Sequence, residues 1–389
     1  MKSFLYFLLL MDLLSCSGGV NNEYLDWSVK MSNSVMMRHD SLIHSMPKKE
    51  VWQYDVSLLA GAIGKLSDYT GDDKYYQYFK DFMDFYITPE GTIKYYRLEE
   101  YNLDKSRPGV NLFTLFEKTD DTRYETAIKT LIEQLKNHPR TSDGGFWHKK
   151  IYTHQMWLDG IFMASPFMVQ YATTFDEPQW YDEAVKQITQ IYSHTKDDET
   201  GLLYHAWDES RSQRWCDPLT GRSEHFWSRA MGWYSMAIVD VLDFLPENHP
   251  GRDQLIEILN NISSALVKVQ DEKTGLWYQV LDMGGREGNY LEASGSGMFA
   301  YTFAKGVRNG YLPNNYRQVA EKTFLGLVEN LVEQDADGGY NLTRVCGGCG
   351  LGGNPYRDGS YEYYINEKII PNDPKGVGPF ILAGIELSK

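Results

Sequence analysis

The segment "QMWLDGIFMASPFMVQYA", Gln155 to Ala172, carries a single carboxylate in an otherwise nearly apolar run: Asp159, preceded by Trp157 and Leu158 and followed by Gly160. A carboxyl group held among apolar groups is partly desolvated, which favours its protonated form and suits a general acid working near neutral pH. The competing role is structural, because an acid at a helix start can cap it or complement its dipole. Asp104, in "YNLD", holds the corresponding place ahead of the preceding apolar segment. Two such carboxylates can share a proton, or divide acid and orienting work between them. Spacing alone leaves their separation open, and with it any retaining or inverting logic.

Cationic and donor groups accompany the two acids: His148 and Lys149 in "GGFWHK", His205 in "YHAWD" and Arg229 in "WSRAMGW". Together they form a set that can hold a carboxylate, and the planar fork of Arg229 matches its two oxygens. Taken singly, His148 and Lys149 read as packing or surface residues. Trp227 and Trp233 flank Arg229 at helical spacing, so one can stack on a sugar while the other packs in the core. Asp208 and Glu209 read as loop ion pairs or orienting groups.

These residues need a frame, and the chain repeats one. A glycine followed by an aromatic recurs in "GTIKYY" at Gly91, "GGFWHK" at Gly144, "GLLYHAW" at Gly201, "GLWYQV" at Gly275 and "GGYNLT" at Gly338. Before each lies an amphipathic helical pattern such as "YDEAVKQITQIYSH"; after each lies a more apolar segment, such as "SRAMGWYSMAIVDVLDFL". A pair from about Glu23 to "VWQYDVSLLAGAIGKLSDY" makes the sixth. A helix apolar nearly all round is a buried one. Six outer helices alternating with six inner ones predict an all-α (α/α)6 barrel, one domain over residues 23–389, whose outer-to-inner loops gather on one face. An open solenoid with a 34-residue period does not match the spacing.

Composition narrows the partners. Hydrophobic residues make up 42% of the 389 and aromatics 14%, with 28 Tyr and 10 Trp, enough for a large core and a sugar-stacking cleft. A formal net charge of -15 argues against nucleic acid. The start "MKSFLYFLLLMDLLSCSGG" reads as a lipoprotein signal with Cys16 as the lipid-attachment residue, so residues 1–22 are expected to be signal and linker. The expectation is then a lipid-anchored protein of the bacterial cell envelope, facing the periplasm or else surface-exposed or secreted, that touches the membrane only through that anchor. Cys216, Cys346 and Cys349 remain; without a matching His cluster they call for no metal, and "CGGC" reads as a local loop disulfide or inert thiols.

The ordered motifs "PRTSDGGFWHKKIYTHQMWLDGIFMASPF", "GLLYHAWDES", "FWSRAMGWYSMAIVDVLD", "NYLEASGSGMFAY" and "YRDGSYEYY" resemble the unsaturated rhamnogalacturonyl hydrolases, glycoside hydrolase family 105, from about Trp52 to the C-terminus. The unsaturated glucuronyl hydrolases are related to these. The resemblance implies an (α/α)6 barrel, no cofactor, and release of a 4,5-unsaturated uronate from the non-reducing end of lyase-cut acidic oligosaccharides by hydration of the double bond. It implies Asp159 as proton donor and acceptor, with Asp104 orienting either the sugar or the catalytic acid. His148, His205, Arg229 and Trp233 fall on substrate-site positions, with Lys149 and Trp227 beside them and Tyr54 in "WQYD" as a further contact. Ser57 stands where the family motif often has glycine. The Gly-rich "CGGCGLGG" segment would line the pocket. Three rivals fit the same toroid: an epimerase, which would bring paired histidines to the mouth; a conventional inverting hydrolase, which would need a water-activating base; and a lipid-anchored glycan-binding protein, which would not need a recessed Asp159.

Overall fold

Each repeated glycine adopts positive φ, from 74° at Gly275 to 95° at Gly144, in a tight turn that follows an outer helix. Gly201 N, for example, donates to Asp197 O at 2.9 Å, and Gly275 N to Asp271 O at 2.8 Å. A residue with a Cβ is strained in that region, which is why the same residue type recurs at the same place in the repeat. The computed structural model describes residues 23–45 and 51–389, so the expected signal segment and Cys16 lie outside the described residues.

Six inner helices form the ring: α3 (Tyr54–Thr70), α5 (Gly109–Thr119), α7 (Leu158–Phe175), α9 (Ser228–Leu242), α11 (Ala293–Arg308) and α14 (Pro374–Leu387). Every residue of α7 from Leu158 to Val169 is buried, as is every residue of α11 from Ala293 to Gly306. Around them stand α1 (Glu23–Arg38), α4 (Asp73–Tyr86), α6 (Thr122–Lys136), α8 (Gln179–Thr195), α10 (Arg252–Lys268) and α12 (Asn315–Leu331). Short helices α2 (Leu42–Ser45) and α13 (Tyr361–Asn366) sit in the connections. The all-α toroid expected from the repeat is the observed fold.

Pairing differs in one respect from the expected outer-to-inner hairpins. The tight hairpins run from inner to outer helix: α3 reaches α4 through Gly71 and Asp72, and α5 reaches α6 through Asp120 and Asp121. The first outer helix, α1, packs on the last inner helix, α14, where Ser28 Oγ donates to Ile381 O at 2.9 Å. The chain ends thereby close the ring. All the short turns fall at one end, and the long connections, residues 87–108, 137–157, 196–227, 269–292 and 332–373, collect at the other.

Candidate active site

A backbone ladder across three of these connections fixes the mouth. Strand β1 (Gln155–Trp157) pairs antiparallel with β2 (Ala206–Asp208), setting Trp157 opposite Ala206, and the pairing continues as Leu158 N donates to His205 O at 3.1 Å. On the other side of β1, His148 N donates to Gln155 O at 2.8 Å, and Leu103 N to His148 O at 3.2 Å. Residues 103–104, 148–149, 158–159 and 205 are thus brought side by side by main-chain bonds.

Asp159 is the second residue of α7 and is 9% exposed. Its Oδ2 lies 3.2 Å from His205 Nε2, and His205 Nδ1 lies 2.8 Å from the Tyr364 hydroxyl. Burial holds the Tyr364 phenol well above its ordinary pKa, so it stays protonated and can donate to Nδ1. That leaves Nε2 as the ring nitrogen facing the Asp159 carboxyl. Trp157 caps this pair edge-on, its ring centroid 5.5 Å from that of His205. Trp157 is also stacked on His148 at 4.6 Å and on Tyr152 at 4.7 Å.

Asp104 makes a different set of contacts. Its Oδ2 lies 2.5 Å from Lys149 Nζ and its Oδ1 3.5 Å from His148 Nε2. Burial alone would raise the Asp104 carboxyl, but Lys149 and His148 outweigh it and hold it below the usual value. Burial pushes His148 down to about 4 despite Asp104, so the ring is neutral at pH 7. Lys149 stays charged, since the attraction of Asp104 outweighs its burial. The two acids therefore differ: Asp104 is held as an anion in a salt bridge, whereas Asp159 faces an imidazole whose own proton placement can change.

Arg229, the second residue of α9, is 1% exposed. Its Nη1 donates to the Cys346 carbonyl and, at 3.3 Å, to Ser294 Oγ; its guanidinium lies 4.7 Å over the Trp227 ring. Although burial opposes its charge, Cys346 and Glu292 more than compensate and keep it cationic. Glu292 caps α11, accepting from Gly295 N at 2.7 Å, and also accepts from Cys346 N at 3.0 Å. It fixes the loop that Arg229 holds from the other side. Trp227 is buried, and its Nε1 donates to Gln279 Oε1 at 3.1 Å, so it braces Arg229. Trp233 is also fully buried, stacked on Phe162 at 4.6 Å and meeting Tyr54 edge-on at 6.0 Å.

Cys346 and Cys349 are thiols with their sulfurs 3.4 Å apart, so of the two expectations for "CGGC" the structure holds the unbonded one. Cys346 joins the site through its backbone carbonyl. Asp208 and Glu209 organise loops as expected: Asp208 accepts from Ser210 N, Ser212 N and Gln213 N, and Glu209 from Ser142 N. Ser57 is buried and its Oγ accepts from Asn111 Nδ2 at 2.8 Å, tying α3 to α5. Sequence reasoning missed Tyr364, Glu292 and Gln279. Of these, only Glu292 had a local signal, an acid directly before a small-residue helix start. Among the described residues no group of three or more His, Cys, Asp or Glu side chains is arranged to hold a metal.

Comparison with known proteins identifies the family. Residues 27–389 match the model of Glycosyl Hydrolase Family 88. A glycoside hydrolase from family 105 of C. acetobutylicum ATCC 824 superposes with a TM-score of 0.89 at 45% identity, covering 93% of this chain and 99% of that one. Protein Atu3128 of Agrobacterium fabrum is 37% identical over 230 residues, 58% of this chain and 97% of that protein. Unsaturated rhamnogalacturonyl hydrolase YesR of Bacillus subtilis is 29% identical over 215 residues, 54% of this chain and 58% of that enzyme. The chain is a glycosidase belonging to the glycosyl hydrolase family 88 and 105 group, whose members act on unsaturated uronyl glycosides.

Proposed function

We propose that the protein releases the 4,5-unsaturated uronate from the non-reducing end of lyase-generated oligosaccharides of rhamnogalacturonan type. The observation that carries this reading is the Asp159–His205–Tyr364 relay opposite a separately salt-bridged Asp104. An enol ether needs only one acid, because protonation at C4 gives a cation stabilised by the ring oxygen. Asp159 gives its proton to C4 and then takes one from the water that adds at C5. The product is a hemiketal; it opens to a C5 ketone, and the hemiacetal left at C1 expels the leaving sugar as an alcohol. Arg229 pairs with the uronate carboxylate, and Asp104 with Lys149 and His148 orients the sugar. Tyr54 supplies a protonated phenol, since burial and Asp104 hold its pKa well above the ordinary value.

The leaving sugar as rhamnose, and pectin as the parent polymer, rest on the motif wording and on the likeness to YesR. We further propose that the chain works in the bacterial envelope, anchored through Cys16. Incubation with unsaturated disaccharides differing only in the leaving sugar, followed by loss of the conjugated double-bond absorbance, tests the reaction and ranks the substrates. Persistence of the absorbance on all of them would overturn the hydrolase reading; fastest loss on a glucuronyl-linked glycosaminoglycan disaccharide would move the substrate class.

A further inference from the structure

The barrel holds a second polar cavity, at the end away from the mouth. A column of rings separates the two: Tyr54 meets Trp233 edge-on, Trp233 stacks on Phe162, and the Arg107 guanidinium lies 4.0 Å over the far face of Phe162. Beyond Arg107, a cavity of about 220 Å³ runs between α3 and α5 toward the short-turn end, where exposed Asp68 and Lys118 line it. At about 30 Å³ per water it has room for roughly seven. Lys65 of α3 and Thr114 of α5, both on inner helices, are exposed and open to the cavity.

Its charges do not cancel. Four cations and three carboxylates line it, and all three carboxylates are engaged. Lys118 binds Asp68 at 2.8 Å, and Lys305 bridges Asp240 at 2.7 Å and Asp243 at 2.6 Å. Lys65 and Arg107 make no ion pair among the described residues, although Asp240 acts on both from further off, and the lining carries one net positive charge. Among the described residues the Lys65 ammonium has neither a hydrogen bond nor an ion pair, and desolvation in the cavity together with neighbouring Lys305 holds it below the ordinary value. Arg107 is 8% exposed, and its Nη1 is buried without a partner. The Tyr76 hydroxyl on the same wall is also buried and unpartnered. A buried guanidinium nitrogen without an acceptor is costly, and here three donors without acceptors line one cavity that has room for one.

We infer that this cavity is a binding site for a small oxyanion, a phosphate or the carboxylate of a small organic acid, held between Lys65, Arg107 and the Tyr76 hydroxyl. Its occupant would be independent of the unsaturated substrate, because the Trp233–Phe162 partition lies between the two sites.

Calorimetric titration of the whole protein with inorganic phosphate, and separately with acetate, tests this and distinguishes the two sources. The expected result is saturable binding of at least one anion, with a dissociation constant at least tenfold weaker in Lys65→Met and retained in Lys65→Arg. Turnover of Lys65→Met stays at the wild-type level. Arg107→Gln is expected to weaken binding likewise; should it fail to fold, the Lys65 pair still decides the matter. Equal affinity in Lys65→Met and wild type, or no binding of either anion up to 10-fold above about 1 mM, a weak-affinity threshold, would overturn the inference. Because the readout is anion binding, its failure leaves the hydrolase reading untouched.

Discussion

His205 reaches Asp159 with one ring nitrogen, at 3.2 Å, and the Tyr364 hydroxyl with the other, at 2.8 Å, so the carboxyl proposed to move protons is coupled to a buried phenol through an imidazole. Asp104 has no such relay, only Lys149 and His148. The asymmetry supports the proposed division of roles. A group that gives and then takes a proton needs a partner able to follow its charge, whereas a fixed anion suits orientation.

Asp159→Asn removes donor and acceptor together. We expect kcat to fall by at least about 10³-fold, the range of general acid–base contributions, with the helical circular dichroism unchanged. Single-turnover loss of the double-bond absorbance measures it. Activity near wild type would move the proton transfer elsewhere, with Asp104 the first candidate.

Tyr364→Phe leaves the ring of residue 364 in place and deletes the hydroxyl facing His205 Nδ1. His205 then loses the bond that favours Nε2–H, and a buried nitrogen is left unpaired at a cost of about 1–3 kcal/mol. The expected signature is a roughly tenfold to hundredfold loss in kcat with little change in KM, and a displaced limb in the pH–rate profile. A purely structural role for Tyr364 would lower stability and leave the profile where it was.

Arg229 makes the opposite prediction. Its Nη1 is committed to the Cys346 carbonyl and Ser294, and its plane lies over Trp227, so the rest of the fork is held at a fixed angle. Arg229→Lys keeps the charge but loses the fork. KM is expected to rise at least tenfold in Arg229→Lys and further in Arg229→Ala, with the smaller effect on kcat. An unchanged KM in both would remove Arg229 from carboxylate recognition.

Much of this was legible because helical packing writes a long-period signal. The glycines at 91, 144, 201, 275 and 338 mark turns that need positive φ, and uninterrupted burial along α7 and α11 shows as runs without a polar stripe. Asp159 was conspicuous for the same reason: it is the acid that such a run cannot explain. What could not be read was pairing across distant loops. Strands β1 and β2 are three residues each, too short for an alternating pattern, yet their register places His205 beside Asp159. Tyr364 lies 159 positions from the histidine it supports. Trp227 and Trp233 looked alike beside Arg229, and only packing shows that one braces the guanidinium while the other divides the barrel.

The remaining prediction concerns acid stability. His138 is 3% exposed; its Nε2 donates to the Trp147 carbonyl at 2.8 Å, and its Nδ1 is buried without a partner. Burial, only partly offset by that carbonyl, lowers its pKa from 6.5 to about 4. Between these values the unfolded chain takes up a proton that the folded ring refuses, so the unfolded state binds more protons and stability falls as pH falls. The contribution is complete above pH 6.5 and is lost progressively down to about 4, a span worth roughly 3 kcal/mol at 1.36 kcal/mol per pH unit. His148, lowered to about 4 by its own burial, acts in the same direction. Tm is therefore expected to drop by several degrees from pH 7 to 4.5. In His138→Gln, whose amide can still donate to the Trp147 carbonyl, the slope is expected to flatten by about half while the Tm at pH 7 changes less. An identical slope in the variant and the wild type would show that His138 charges as readily in the fold as outside it.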